Sequence, residues 1–338
     1  MKTNLLQLIL LVLICEMSNA QSFDTLAAVE TGKKWGYINP AGEFVIPPQF
    51  NNATPFREEL AAVEFMFSSQ DNSPEKMEAM KELFGVERIS KGTFITFLYK
   101  WGYIDRTGKI MIRPKFDNAS MFHEGLAPVS VGRKWGYINK DGVLVIPPKF
   151  DAADSHFEGL AWVVVNSKCG YIDKSGALVI DTLYDNVGYF NEGLAPISVN
   201  GEWGYIDRHG NIVVHPQFRE ASPFSEGLAS AKTKENMYGF IDKTGSYVIL
   251  PRFEEARFFQ EGLAGVKEGG QWCYINKKGK RVMSVPYSSC GNFCEGLTIV
   301  SNGDKCGYID ANGRLVIELQ FDDVQGFSRV ARENGLRR

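Results

Sequence analysis

The feature that most constrains this chain is a motif that returns with a fixed period. The motif built on Trp203-Gly204-Tyr205-Ile206-Asp207 recurs at Trp35, Trp101, Trp135, Cys169, Trp203, Tyr238, Trp272 and Cys306, with steps of 66, 34, 34, 34, 35, 34 and 34 residues. A period between 20 and 50 residues marks a repeat architecture, in which one unit cannot bury its own apolar face and neighbours must stack. The first step is one period plus 32 residues, so a single insertion interrupts the array.

Within one period, Gly193 to Glu226, the residues read as strands. Leu194 to Val199 alternates apolar positions, and Asn200-Gly201 is a tight hairpin signal. Trp203 to Ile206 forms a second strand, and Asp207 to Gly210 a turn in which Asp bonds its own backbone and Gly takes positive φ. Ile212 to Val214 is a third strand, ended by His215-Pro216 because Pro cannot donate to a ladder. The segment Gln217 to Glu226 links to the next unit and has room for a short fourth strand around Phe218 and Ala221. A glycine recurring inside a strand implies close approach, and we expect a neighbouring ring over Gly204.

The pattern WGYID-x-x-G, then an aliphatic run ending in Pro, then F-D-x-A-x-x-F-x-E-G-L-A, resembles the WG-repeat family over residues 25 to 335. The resemblance rests on Trp35, Gly36, Trp101, Gly102, Trp135, Gly136, Trp203, Gly204 and Trp272, with the in-phase Glu-Gly-Leu-Ala. It implies a non-enzymatic repeat array, often on exported chains, with no catalytic residue and no cofactor to carry over. The chain departs from the pattern at Cys169, Tyr238 and Cys306 in place of Trp, and at Cys273 and Glu59 in place of Gly.

The expected fold is therefore all-β: a tandem array of about eight antiparallel repeats of ~34 residues. Phe327 to Gly335 reads as a further copy of the first strand, so that 327–338 is a partial terminal repeat. A surplus strand suits a cap on an open, solenoid-like array, which we prefer to a closed eight-bladed, propeller-like ring. Propeller blades usually need about 40–45 residues, which favours the same choice.

Residues 64–95 form the insertion, assigned to the first repeat. Ser73-Pro74 is a helix start signal, and Met77, Met80, Leu83 and Phe84 follow at helical spacing up to Gly85. That helix either packs on the array or presents its Met-rich stripe to a partner, because long insertions are often functional and Met adapts to varied surfaces.

Residues 1–20 combine Lys2, an apolar run from Leu5 to Ile14 and small residues at Ser18 and Ala20, the pattern of a secretory signal peptide cleaved before Gln21. The run is shorter than the ~20 residues a membrane span needs. Cys15 lacks the small preceding residue of a lipoprotein signal. The expected array is thus 21–338, in the periplasm, on the cell surface or secreted, without stable membrane insertion after cleavage.

The candidates for chemistry are few. A net charge of −3 offers no footprint for nucleic acid. His123, His156, His209 and His215 occupy unlike repeat positions without metal-ligand spacing. The turn acids Asp105, Asp173, Asp207, Asp242 and Asp310 come one per turn, which suits turn capping better than calcium. Cys290 and Cys294 are a disulfide candidate if their linker turns back. What remains is a scaffold that binds an envelope or extracellular protein or peptide. The alternative is a glycan- or wall-binding module with an exposed row of aromatic rings, and exposure of the rings separates the two.

Overall fold

The computed structural model describes residues 25–68 and 97–329. Eight four-stranded antiparallel sheets follow one another in a ring, the arrangement of an eight-bladed β-propeller, with no helix among the described residues. Each blade has a two-residue first strand, a central hairpin and a seven- or five-residue fourth strand. In blade 5 these are Asn186–Val187, Leu194–Val199, Glu202–Asp207 and Ile212–Phe218. The central strands are buried on both faces, whereas the fourth strand is a sheet edge whose first half faces solvent.

The ring corrects the open array. Structural blades are offset from sequence repeats: the short strand that ends one repeat pairs with the hairpin of the next. Asn186–Val187 thus pairs with Leu194–Val199 of its following unit. The hairpin Thr25–Thr31 and Lys34–Ile38 forms the centre of blade 1, which like every other blade has a place for a short strand beside it. Asp323–Val324, the last short strand, fills that place by pairing with Val29 and Glu30. The segment read as a surplus copy of the first strand contributes Ser328–Arg329, which pairs with Thr25 and Leu26. The chain's ends complete one blade between them.

The same contacts carry every blade interface. The turn glycine of each blade lies over an apolar fourth-strand side chain of the preceding one, Ile or Val except for Met283 at Gly313. An added Cβ would sit 3.5 Å from Ile46 at Gly108, 3.4 Å from Ile180 at Gly210, and 3.4 Å from Ile317 at Gly42 across the seam. Closure therefore repeats the ordinary interface.

A tyrosine latch accompanies it. The buried hydroxyls of Tyr37, Tyr103, Tyr137, Tyr171, Tyr205, Tyr274 and Tyr308 each donate to a carbonyl 17 residues on, in the next blade, at 2.7 to 2.9 Å. Burial pushes these hydroxyls far above the usual phenol range, so they remain donors. Their rings pack on Phe56, Phe122, His156, Phe190, Phe224, Phe293 and Phe327 at 4.7 to 4.9 Å. Blade 6 has Phe240 in this place, packed on Phe259 without a hydroxyl. Phe240→Tyr is expected to add the missing latch to the Arg257 carbonyl and stabilise the protein by about 1 kcal/mol, the net worth of one buried hydrogen bond. A denaturant midpoint no higher than wild type would refute it.

The Glu-Gly pair has a backbone role. Glu158 and Gly159 have φ of 51° and 81°, the two left-handed residues of a tight hairpin turn closed by reciprocal hydrogen bonds between Phe157 and Leu160. The Glu158 carboxylate then accepts from the Gly193 amide of the next blade at 3.0 Å. Glu58, Glu124, Glu192, Glu226 and Glu261 do the same to Gly125, Gly159, Gly227, Gly262 and Gly296.

Further readings are corrected. The close neighbour of Gly204 is backbone rather than a ring: a Cβ there would lie 2.4 Å from the Val214 carbonyl oxygen and 2.6 Å from the Pro216 nitrogen. The fourth strand bulges toward the glycine at this point, between the Trp203↔Phe218 and Tyr205↔Val214 pairs. The third strand also continues through Pro216 to Phe218 instead of ending there, because an edge strand tolerates a residue that cannot donate. The insertion belongs to the second blade, where strands Ala61–Ser68 and Phe97–Ile104 are its long hairpin arms. Residues 64–68 are therefore strand rather than insertion. The expected helix with Met77, Met80, Leu83 and Phe84 lies outside the described residues.

Candidate functional site

The periodic residues singled out in the sequence are placed around the ring by the blades and are held in structural contacts. Trp35, Trp101 and Trp272 are buried, and Trp135 and Trp203 are half-buried, each beside a blade interface. They form no contiguous exposed row. Gly36, Gly102 and Gly136 pack against fourth-strand carbonyls as Gly204 does.

The turn acids cap their own turns. Asp173 accepts from the amides of Ser175 and Ala177 at 2.9 and 3.0 Å, and the Ser175 hydroxyl holds its carboxyl below the usual carboxylate range. Asn139 accepts in the same way from Asp141 and Val143. Among the described residues no three His, Cys, Asp or Glu side chains converge as a metal site requires.

Cys290 and Cys294 are both free thiols. Cys290 is buried beside the Tyr274 hydroxyl, and burial pushes its thiol up to about 11. The Cys294 thiol donates to the Phe327 carbonyl at 2.8 Å, across the blade 8 to blade 1 interface. The two sulfurs are thus engaged with different neighbours.

His156 stands where the other latches have Phe. It is fully buried, 4.9 Å from the Tyr137 ring, and neither ring nitrogen makes a hydrogen bond of good geometry, the Asp173 backbone being only a weak partner. Burial pushes the imidazole below its ordinary value of 6.5, and the Asp173 backbone and the Glu124 carboxylate offset this only in part. Below pH 6.5 the folded state therefore takes up this proton less readily than the unfolded chain does. Stability is full above pH 6.5 and falls as the pH drops below that value. His156→Phe is expected to abolish this part of the acid sensitivity and to stabilise the protein at neutral pH by about 1–2 kcal/mol, by removing unsatisfied buried polar atoms. Thermal melts of both proteins between pH 5 and 8 check it, and parallel pH curves would refute it.

Two features were not legible in the sequence. His123, Phe157 and Tyr189 form a ring stack across blades 3, 4 and 5, with centroids 4.2 and 4.5 Å apart. His123 and Phe157 share one variable motif position, just before the Glu-Gly pair, but Tyr189 stands at another, so the period alone does not link the three. The second feature is an aliphatic rim. The first two residues of the fourth strands are exposed in successive blades: Leu144 and Val145, Leu178 and Val179, Ile212 and Val213, Leu315 and Val316, with Phe44, Met111, Val248 and Val282 at equivalent places. An aliphatic run reads as a buried strand in the sequence, and only its position at the sheet edge leaves it in water.

These blades, latches and turns recur in the segments that a family model recognises. The model for the WG containing repeat matches residues 35–65, 101–135, 135–169, 170–203, 203–236, 238–272 and 307–329, more than half of the chain. This protein belongs to the WG-repeat family.

No protein of curated function matches the WG-repeat chain in sequence. Solved structures match it in shape. It is similar to a dihydro-heme d1 dehydrogenase, NirN, in complex with DHE, at TM-score 0.56 and 13% identity, over 91% of this chain and 75% of that one. It is also similar to the computationally designed Ika8 protein, at TM-score 0.50 and 8% identity, over 86% and 97% of the two chains. At such identities the likeness concerns the fold alone.

Proposed function

We propose that this WG-repeat protein is an exported, non-enzymatic scaffold that holds a protein or peptide partner against its rim. The observation that carries this reading is the aliphatic rim itself. Apart from Phe44, which packs on Phe321 across the seam, the rim places Leu, Ile, Val and Met in water at the same place around the ring, and exposed apolar surface of this kind marks interaction sites. The periodic polar residues support the same reading, because the turn acids and the Glu-Gly pairs are engaged in turns and interfaces. Buried and half-buried Trp rings favour protein or peptide over glycan as the partner.

The test uses the chain from Gln21, immobilised in native envelope extract with chemical cross-linking, beside a variant carrying Val145→Lys and Val213→Lys. Loss of a cross-linked partner in the variant, at an unchanged melting temperature, supports the scaffold. Equal capture by both proteins would overturn the rim as its binding surface. Export is tested separately by the intact mass of the protein from its host. A mass beginning at Gln21 supports it, and a retained Met1 or a lipid on Cys15 overturns it.

A further inference from the structure

An exposed edge strand invites another strand to pair with it, and proteins guard such edges with proline and charge. In this ring the fourth strands carry a proline, a polar or charged sixth residue, or both, and one blade has neither. Their fifth position holds Pro48, Pro114, Pro148, Pro216 and Pro251 in blades 1, 2, 3, 5 and 6, and their sixth holds Gln49, Lys115, Lys149, Gln217 and Arg252. Pro286 directly follows the shorter fourth strand of blade 7. Blade 8 lacks the proline but keeps Gln320 at the sixth position. Blade 4 lacks both guards: its fourth strand, Leu178–Tyr184, has Thr182 and Leu183. Leu183 is 68% exposed and Val179 47%, and Asp181 lies exposed between them without an ion pair among the described residues.

We infer that this edge of blade 4 is a strand-pairing site for an extended peptide segment with a basic residue flanked, two positions away on each side, by aliphatic ones. The inference rests on the scaffold reading and gives it a place and a ligand class. The strand bulges opposite Gly170, between the Cys169↔Tyr184 and Tyr171↔Ile180 pairs, and Val179, Asp181 and Leu183 stand exposed along it as an apolar–acidic–apolar row. The complement is a strand whose Lys or Arg meets Asp181 while its aliphatic neighbours cover Val179 and Leu183. A second copy of this chain fits worse, because two-fold pairing centred on Asp181 sets two carboxylates against each other, and like charges directly opposite destabilise a strand pair. Main-chain pairing supplies affinity and the alternating side chains supply specificity.

The backbone also shows how to close the gap. The Thr182 nitrogen lies 2.8 Å from a Cβ placed on Gly170, the separation found between Pro48 and Gly36 in blade 1. Thr182→Pro therefore installs in blade 4 the guard that blade 1 already accommodates.

The probe is a fluorescein-labelled, N-acetylated peptide Ser-Val-Thr-Lys-Thr-Val-Ser, with a second peptide carrying Glu in place of Lys. Fluorescence anisotropy is read against wild type, Thr182→Pro and Asp181→Lys, with a melting curve for each. The Lys peptide is expected to bind wild type, to lose at least about tenfold in affinity with Thr182→Pro at an unchanged melting temperature, and to give way to the Glu peptide with Asp181→Lys. No binding by wild type up to about 1 mM, or binding indifferent to both substitutions, overturns the site. Sedimentation of wild type as a dimer that Thr182→Pro returns to monomer overturns it in favour of a second copy. If Thr182→Pro unfolds the protein, Asp181→Lys decides alone by whether the preference reverses. Partner capture that depends on Val145 and Val213 but not on Thr182 would overturn this site and leave the scaffold standing.

Discussion

Ending the chain at Asp322 opens the ring and loosens its first and last blades together. The cut removes Asp323–Val324, which complete the sheet of blade 1, and Phe327, which packs on Tyr308 of blade 8. It also removes the Gln325 carbonyl that accepts from Tyr308, the Gln325 amide bonded to Ala28, and the side-chain bond from Gln325 to the Ala53 carbonyl in blade 2. Burying Val324 and Phe327 contributes roughly 1.5–3 kcal/mol each, and each hydrogen bond about 1 kcal/mol. The loss is on the order of 5 kcal/mol or more, a large fraction of the stability of a typical protein. Hydrogen exchange of the truncated chain is expected to show early loss of protection in Thr25–Ile38 and in Leu297–Asp310 alike, while blades 4 to 6 hold longer. Loss confined to blade 8 would mean that closure contributes nothing to blade 1, against the geometry of the seam.

Gly204→Ala is expected to cost about 3 kcal/mol, at the upper end of what overpacking costs. The new methyl would meet two backbone atoms, the Val214 carbonyl oxygen and the Pro216 nitrogen, at 2.4 and 2.6 Å, and neither can swing aside as a side chain does. The protein contains its own control. Blade 7 has Cys273 at the equivalent position, and there the fourth strand pairs straight through Trp272↔Val285, Cys273↔Ser284 and Tyr274↔Met283, without the bulge beside Gly204. A side chain is accommodated only where the bulge is absent. Cys273→Gly should accordingly be far milder than Gly204→Ala. Denaturant unfolding of both variants checks the pair, and equal small losses would show that the bulge can shift to make room.

The repeat, the strand pattern and the turn chemistry of this protein were legible in its sequence, because each is a local requirement stamped on every copy. Gly210 takes positive φ in its turn, and Asp207 caps that turn, whatever surrounds them. The family was legible for the same reason. Closure was not. Open and closed arrays use the same contact between neighbours, and the difference lies in the angle each interface adds, which depends on how deeply Ile180 seats over Gly210 and Tyr205 over Phe224. The ends carried a clue that was read in the wrong register: Asp323–Val324 is the strand that blade 1 lacks, which becomes visible only when blades are seen to be offset from repeats. The rim was hidden for a related reason. Leu178-Val179-Ile180 is one aliphatic run in the sequence, yet Ile180 is buried while Leu178 and Val179 stand in water. The local pattern determined that this segment is a strand. Only the tertiary structure, by making it the edge of a blade rather than its centre, decided which of its side chains are free to meet a partner.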